Sequence, residues 1–299
     1  MIQQEIDTII KKLRNFHWGE TVSEMRANFE AGFTMPDRPD IIIESVDANG
    51  VPADLISTPK ASSERIILYL HGGGYLFGSR KSYRRIASDL STTSKAQVLL
   101  IDYRLAPEHP FPAALEDGLT SYKWLIEERN FDATQIALAG DSAGGNLALG
   151  MMLSLKQDYK PLPACALLMS PFTDFARKGC SLQTLAEADP FVSAKLLEIV
   201  VNSYLPEGND FNPIISPIYA DLSTLPPLLI HVGSQEILLD DSLRLMSKAA
   251  GDNVAVELKV WQDMIHCFQL FAPNLADGRK AIAEAGAFIA NHLKIHEDN

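Results

Sequence analysis

The residue of this sequence best placed to do chemistry is a serine set between glycines, in Gly140-Asp141-Ser142-Ala143-Gly144. It follows the apolar run IALAG and precedes a helix-like stretch, NLALGMMLSL. A G-x-S-x-G pentapeptide between strand and helix holds its serine on a sharp turn, with the hydroxyl exposed at the head of the helix. The flanking glycines let neighbouring segments come close to a strained backbone, and the helix dipole favours negative charge developing there. Five such residues also arise by chance in glycine-rich turns. The strand before them and the helix after them carry the argument, and the chemistry they suit is acyl transfer.

A serine hydroxyl attacks only when a base takes its proton, and a third group must orient that base. In chain order Ser, acid, His, the candidate histidines are His266, His292 and His296. His266 falls in the loop DMIHCF after the strand-like VELKVWQ, where strand-end loops deliver functional groups. His292 and His296 fall on or beyond a terminal helix, at the surface. His231 sits inside a strand and reads as a core histidine, while His17 and His109 precede the serine. For the acid, PLLIHVGSQEILLDDS offers Glu236, Asp240 and Asp241 after a strand. Glu236 lies in the loop itself and is preferred over Asp240. Asp240 and Asp241 look like the acidic first turn of the next helix.

An acyl-transfer intermediate also needs donors for its oxyanion. His71-Gly72-Gly73-Gly74 follows the strand-like RIILYL, and backbone N–H groups of Gly73 and Gly74 suit that role, joined by Ala143 N–H. Gly72 reads as a hinge of the loop or an additional donor. A triple glycine could instead be a flexible loop or a phosphate cradle, but the Gly-Lys-Ser/Thr of a P-loop is missing.

Positioning these groups requires a sheet. The runs RIILYLH, QVLLIDY, QIALAGD, ACALLMS, PLLIHVG and VELKVWQ read as strands buried on both faces. Helical patterns lie between them at roughly 80–94, 112–129, 143–156, 240–250 and 279–294. This alternation predicts a mostly parallel sheet with helices on both faces. Before it, IIIESV and VPADLIST flank Asn49-Gly50, a hairpin signal. Ile2, Ile6, Ile9, Ile10 and Leu13 recur at helical spacing and need something to dock on. Residues 174–216 break the rhythm with two helical patterns and no strand, an insertion expected over the carboxyl end of the sheet. One domain over 1–299 is therefore expected, with a cap made of about 1–38 and about 174–216.

Composition narrows the partners. Of 299 residues, 46% are hydrophobic and 21% charged, and the net charge of −12 is interspersed rather than blocked. Nucleic acid and anionic membrane surfaces favour clustered Lys and Arg, so neither is expected. Cys165, Cys180 and Cys267 have no paired spacing, so neither a disulfide framework nor a metal site is suggested. The opening MIQQEIDTIIKKLRNFHW lacks the features of a signal peptide, and no run reaches a membrane span, which gives a soluble cytoplasmic protein as the expectation.

Three blocks together resemble the bacterial hormone-sensitive lipase family of esterases, of the α/β-hydrolase fold. They are His71-Gly72-Gly73-Gly74-Tyr75, the stretch DYRLAPEHPFPA over 102–113, and Gly140-Asp141-Ser142-Ala143-Gly144-Gly145-Asn146. The resemblance spans roughly 40–294. It implies an α/β hydrolase with a helical cap and a Ser-acid-His esterase without cofactor or metal, acting on a small-molecule ester of short to medium acyl length. Lactones, aryl acetates and acetylated sugars stay open, and a homodimer is one expectation. The family's acid is usually Asp in a D-P-L-x-D-like segment. Aligned on Glu236-Ile237-Leu238-Leu239-Asp240, it falls on Glu236, with Asp240 as a supporting residue alongside His71 and Asp141. In the middle block Arg104 and the prolines are expected to shape a loop beneath the site, and Glu108 to pair locally. A catalytically silent binder and an amidase or peptidase remain alternatives on sequence alone.

Overall fold

The computed structural model describes residues 2–294, with side chains from residue 4 onward, so His296 and the Ile2 side chain lie outside the described part. Helices α1 (Ile2–Arg14) and α2 (Val22–Phe33) precede the strands β1 (Ile42–Asp47) and β2 (Pro52–Ser57). Strands and helices then alternate: β3 (Ser62–Leu70), α3 (Arg80–Ser94), β4 (Ala96–Ile101), α4 (Ala113–Glu127), β5 (Ile136–Asp141), α5 (Ala143–Gln157) and β6 (Cys165–Met169). The short α6 (Ser181–Thr184) and α7 (Ala194–Tyr204) interrupt that alternation. It resumes with β7 (Leu228–Gly233), α8 (Leu239–Gly251), β8 (Val256–Trp261) and α9 (Ala276–His292).

The eight strands form one sheet in the order β1-β2-β4-β3-β5-β6-β7-β8. β2 runs antiparallel to β1 and β4, and every other pairing is parallel. This is an α/β-hydrolase fold. Asn49 (φ 58) and Gly50 (φ 92) both turn left-handed, which a two-residue hairpin of this twist requires. Strands β5, β6 and β7 are buried at every residue, as expected of strands covered on both faces. β8 departs from that expectation. It is the last strand, with a neighbour on one side, and its residues are half-buried or exposed up to Trp261.

Helices α3 and α9 pack together, with Gly286 lying directly against Thr93, while α4 packs on α5 through Gly118 and Met151. The strand order reverses between β3 and β5, so their carboxyl ends diverge into a crevice. Over that crevice lie the two segments outside the alternation. α1 buries Ile6, Ile9 and Leu13, and α2 buries Met25, Phe29 and Phe33. α2 went unpredicted as a helix, although its start carries a legible signal: Thr21 and Glu24 form a reciprocal capping box.

Candidate active site

Ser142 stands between β5 and α5 with φ 52 and ψ −117, a conformation that a side chain adopts only when its surroundings impose it. Its N–H donates to Met169 O (2.8 Å), and its carbonyl accepts from Asn146 N (3.1 Å) and Phe172 N (3.2 Å). The flanking glycines are required by space. A Cβ on Gly140 would lie 2.4 Å from the Gly144 carbonyl, and one on Gly144 would lie 1.9 Å from Leu70 O. The elbow is thus pressed against the end of β3, from which the Gly72–Gly74 loop departs.

Ser142 opens onto a cavity of ≈ 40 Å³ whose other walls include Gly73, Gly74, His266, Cys267 and a set of apolar side chains. Trp18 and Phe29 come from the N-terminal segment; Phe191, Val192, Leu196, Leu197 and Val200 come from the 174–216 insertion. Trp18 stacks on Phe191 with centroids 5.5 Å apart, and Arg14 donates to Glu187 O, so the two segments meet above the serine.

Gly73 (φ 102) and Gly74 (φ 61) both need glycine's freedom. Their N–H groups donate to no other atom among the described residues. Ala143, the first residue of α5, has an N–H without a partner inside its helix. Gly72 stands apart from the predicted donors, because its N–H is already given to Asp141 Oδ1 at 3.0 Å and it does not line the cavity. Space requires glycine there too, since a Cβ would run into the Asp141 carboxylate.

Asp141 is a buried hub behind the serine. Tyr69 and Tyr83 donate their hydroxyls to its two oxygens at 2.9 and 3.1 Å. Burial pushes its carboxyl above the usual range, against the opposing pull of those hydroxyls, the nearby His71 and Gly72 N–H. His71 holds the loop by other means. Its ring stacks on Tyr103 at 4.2 Å, its Nδ1 lies 2.7 Å from Gly72 O, and burial lowers its pKa.

Glu236 and His266 arrive on the loops after β7 and β8, which are interlocked. Ser234 N donates to Trp261 O (2.9 Å) and Gln235 N to Met264 O (2.9 Å). Gly233 must lack a side chain, since a Cβ there would meet Met264 O at 2.3 Å. Both candidate residues are buried, and His266 Nδ1 faces Glu236 Oε1 at 3.6 Å. At that separation the two are an ion pair rather than a hydrogen bond, and neither atom has a hydrogen-bonding partner among the described residues. Burial disfavours a charged His266, but the Glu236 carboxylate, with Asp189 and Asp141 behind it, outweighs burial and holds the pKa above the ordinary 6.5.

Asp240 lies elsewhere. Its Oδ2 accepts from Ser181 N (3.0 Å) and its own N–H donates to Ser181 Oγ (3.0 Å), tying α8 to α6. Asp241 is buried beneath it, accepting from Thr173 N and Asp174 N. His231 is fully buried in β7, and burial drives its pKa down to about 3. His292 lies near the end of α9, with its Nδ1 2.8 Å from Phe288 O.

In the middle block, Arg104 pairs with Asp117 and Glu116 as a local brace. Glu108 does not pair locally. It binds Arg26 of α2 at 2.6 Å, because that guanidinium also donates to Leu76 O and Ala106 O and is anchored over this loop. Ser170, after β6, escaped sequence reading altogether. Its hydroxyl donates to Glu236 Oε2 at 2.8 Å and accepts from Cys267 N at 3.1 Å. No local pattern marks it; SPFTD gives a reader nothing to connect with residues nearly a hundred positions on.

A parallel sheet whose central strand ends in a serine-bearing elbow, at the point where strand order reverses, is the architecture of the α/β hydrolases. A family model described as alpha/beta hydrolase fold matches residues 67–270, and the chain belongs to that family, among the bacterial hormone-sensitive lipase type esterases. It is a carboxylic ester hydrolase. Among its relatives, an acetyl-hydrolase of Streptomyces hygroscopicus is 39% identical over 77% of this chain and 77% of its own length. An esterase of Acinetobacter venetianus is 35% identical over 85% of this chain and 83% of its own length. The crystal structure of an esterase from the bacterial hormone-sensitive lipase family superposes with a TM-score of 0.95 at 40% identity, covering 97% of this chain and 99% of that one. Among the described residues, no helix is long and apolar enough to cross a membrane.

Proposed function

We propose that the protein cleaves short to medium acyl esters through an acyl-enzyme on Ser142, with His266 as general base and acid and Glu236 as the group that orients it. The observation that carries this reading is the shared cavity: Ser142 and His266 line it together, and the far nitrogen of His266 faces the buried Glu236 carboxylate. His266 takes the serine proton as Ser142 Oγ attacks the carbonyl carbon, and the imidazolium that forms is stabilised by Glu236. The oxyanion is held by the N–H groups of Gly73, Gly74 and Ala143. The C–O bond then breaks, the alcohol departs with the proton from His266, and water, activated by the same histidine, releases the acid.

The residues 1–38 and 174–216 act in this reading as a cover that excludes water and sizes the substrate. The apolar walls from Trp18 to Leu270 favour an uncharged acyl chain, and the name of the Streptomyces relative supports a small one. Aryl acetates and lactones fit the same chemistry. The test is hydrolysis of p-nitrophenyl esters from acetyl to palmitoyl by the wild type and by Ser142→Ala. The expected result is activity concentrated on short chains and lost by ~10³-fold or more in the variant. Equal activity of the two proteins would remove Ser142 from the mechanism.

A further inference from the structure

Ser170 is fully buried and bonds the acid Glu236 and the backbone of Cys267, the residue after His266, without lining the cavity. It follows β6 with φ 48, and its N–H donates to His231 O at 2.7 Å, so its place at the strand end is held against the preference of a side-chain-bearing residue. The directions of its two hydroxyl bonds are forced. The Cys267 N–H can only donate, so Oγ accepts from it, which leaves the single hydroxyl proton for Glu236 Oε2. The same oxygen of Glu236 takes the Gly233 N–H at 3.2 Å. With Oε2 doubly occupied, Oε1 is the oxygen left facing His266 Nδ1.

Resting on the reading of Glu236 as the orienting acid, we propose that Ser170 is a positioning residue for the reaction. Its one hydroxyl indexes the acid and the base to each other, holding the Glu236 carboxylate on one side and, through the Cys267 N–H, the loop of His266 on the other. A glutamate has one more rotatable bond than an aspartate, so the carboxylate reaches a defined position only when it is tethered. Ser170 and Gly233 supply that tether.

The test compares Ser170→Ala, Ser170→Gly, Glu236→Ala and the double variant Ser170→Ala/Glu236→Ala on p-nitrophenyl acetate, with melting temperatures alongside. The expected result is that both Ser170 variants lose kcat by roughly 10–100-fold, the scale of a misplacement of about 1 Å, with KM within about twofold. Glycine accepts φ 48 freely, so Ser170→Gly melts no lower than Ser170→Ala while losing as much kcat; a purely structural role would make kcat follow melting. Adding Ser170→Ala to Glu236→Ala is expected to cost less than about threefold, because the group it positions is already gone. Multiplicative losses in the double variant overturn the proposal while leaving Glu236 as the acid, as does wild-type kcat in both Ser170 variants. Wild-type kcat in Glu236→Ala overturns the acid assignment and this proposal with it.

Discussion

Replacing Glu236 with glutamine is the most informative single change at this site, because the surrounding donors dictate how the new side chain must sit. Ser170 Oγ (2.8 Å) and Gly233 N (3.2 Å) both donate to the oxygen at the Oε2 position. An amide satisfies them only by placing its own oxygen there, which turns its NH2 toward His266 Nδ1. That nitrogen then becomes an acceptor, and the ring proton moves to Nε2, the atom that has to receive the serine proton. Wrong-tautomer substitutions of this kind cost about 10⁴ in kcat in a serine hydrolase triad. The pH profile moves as well. Wild-type His266 is held above 6.5, so kcat/KM falls on the acid side with a midpoint above that value as the base becomes protonated. Without the Glu236 charge, burial loses its main opponent, and the midpoint of the variant's residual activity moves down from that of the wild type. Initial rates on p-nitrophenyl butyrate between pH 5 and 9 measure both effects. A Glu236→Gln enzyme within tenfold of wild type, with an unmoved acid limb, would refute the reasoning. Asp240→Asn serves as the comparison and is expected to stay within about threefold, since Asp240 is engaged with Ser181.

Three further outcomes follow from the geometry. Gly144→Ala places a Cβ 1.9 Å from Leu70 O and 2.7 Å from His71 O, both backbone atoms, so the elbow itself must shift. The expectation is a loss of ~10²-fold or more in kcat/KM together with about 1–3 kcal/mol of stability, read by steady-state kinetics and denaturant melts. Asp241 is buried, which raises its carboxyl to about 7 from 3.8, with Asp174 adding to the rise. Because the folded pKa is the higher one, its stabilising contribution is complete below pH 3.8 and is lost as pH rises through about 7. Asp241→Asn should remove up to about 1.4 kcal/mol per pH unit from the slope of stability between those limits, and an unchanged slope would contradict the burial argument. Phe191→Ala deletes a cavity wall stacked on Trp18, and should raise the kcat/KM of the hexanoyl over the acetyl ester several-fold; a ratio that stays put means that Phe191 does not limit the acyl chain.

Much of the fold was legible in the chain because its signals are local. Unbroken apolar runs mark β5, β6 and β7, Asn49-Gly50 marks the first hairpin, and the glycines around Ser142 announce a turn too tight for side chains. The capping box that starts α2 is an equally local signal. What was missed outright lay at long range. Glu108 was expected to pair with a neighbour and instead pairs with Arg26, 82 residues earlier, because α2 folds back over its loop.

The sequence by itself determined which chemistry is on offer: a serine on an elbow, glycine N–H donors ahead of it, and a histidine and carboxylates on later strand ends. These are properties of residue type and of patterns a few residues long. The tertiary structure decided which of those groups meet. It set Glu236 rather than Asp240 opposite His266, gave the Gly72 N–H to Asp141 and so withdrew it as a donor, and brought Ser170 between the acid and the base. The physical reason is that such partners lie 30 to 97 residues apart, and their distances follow from strand order and loop interlock, which no window of the sequence contains.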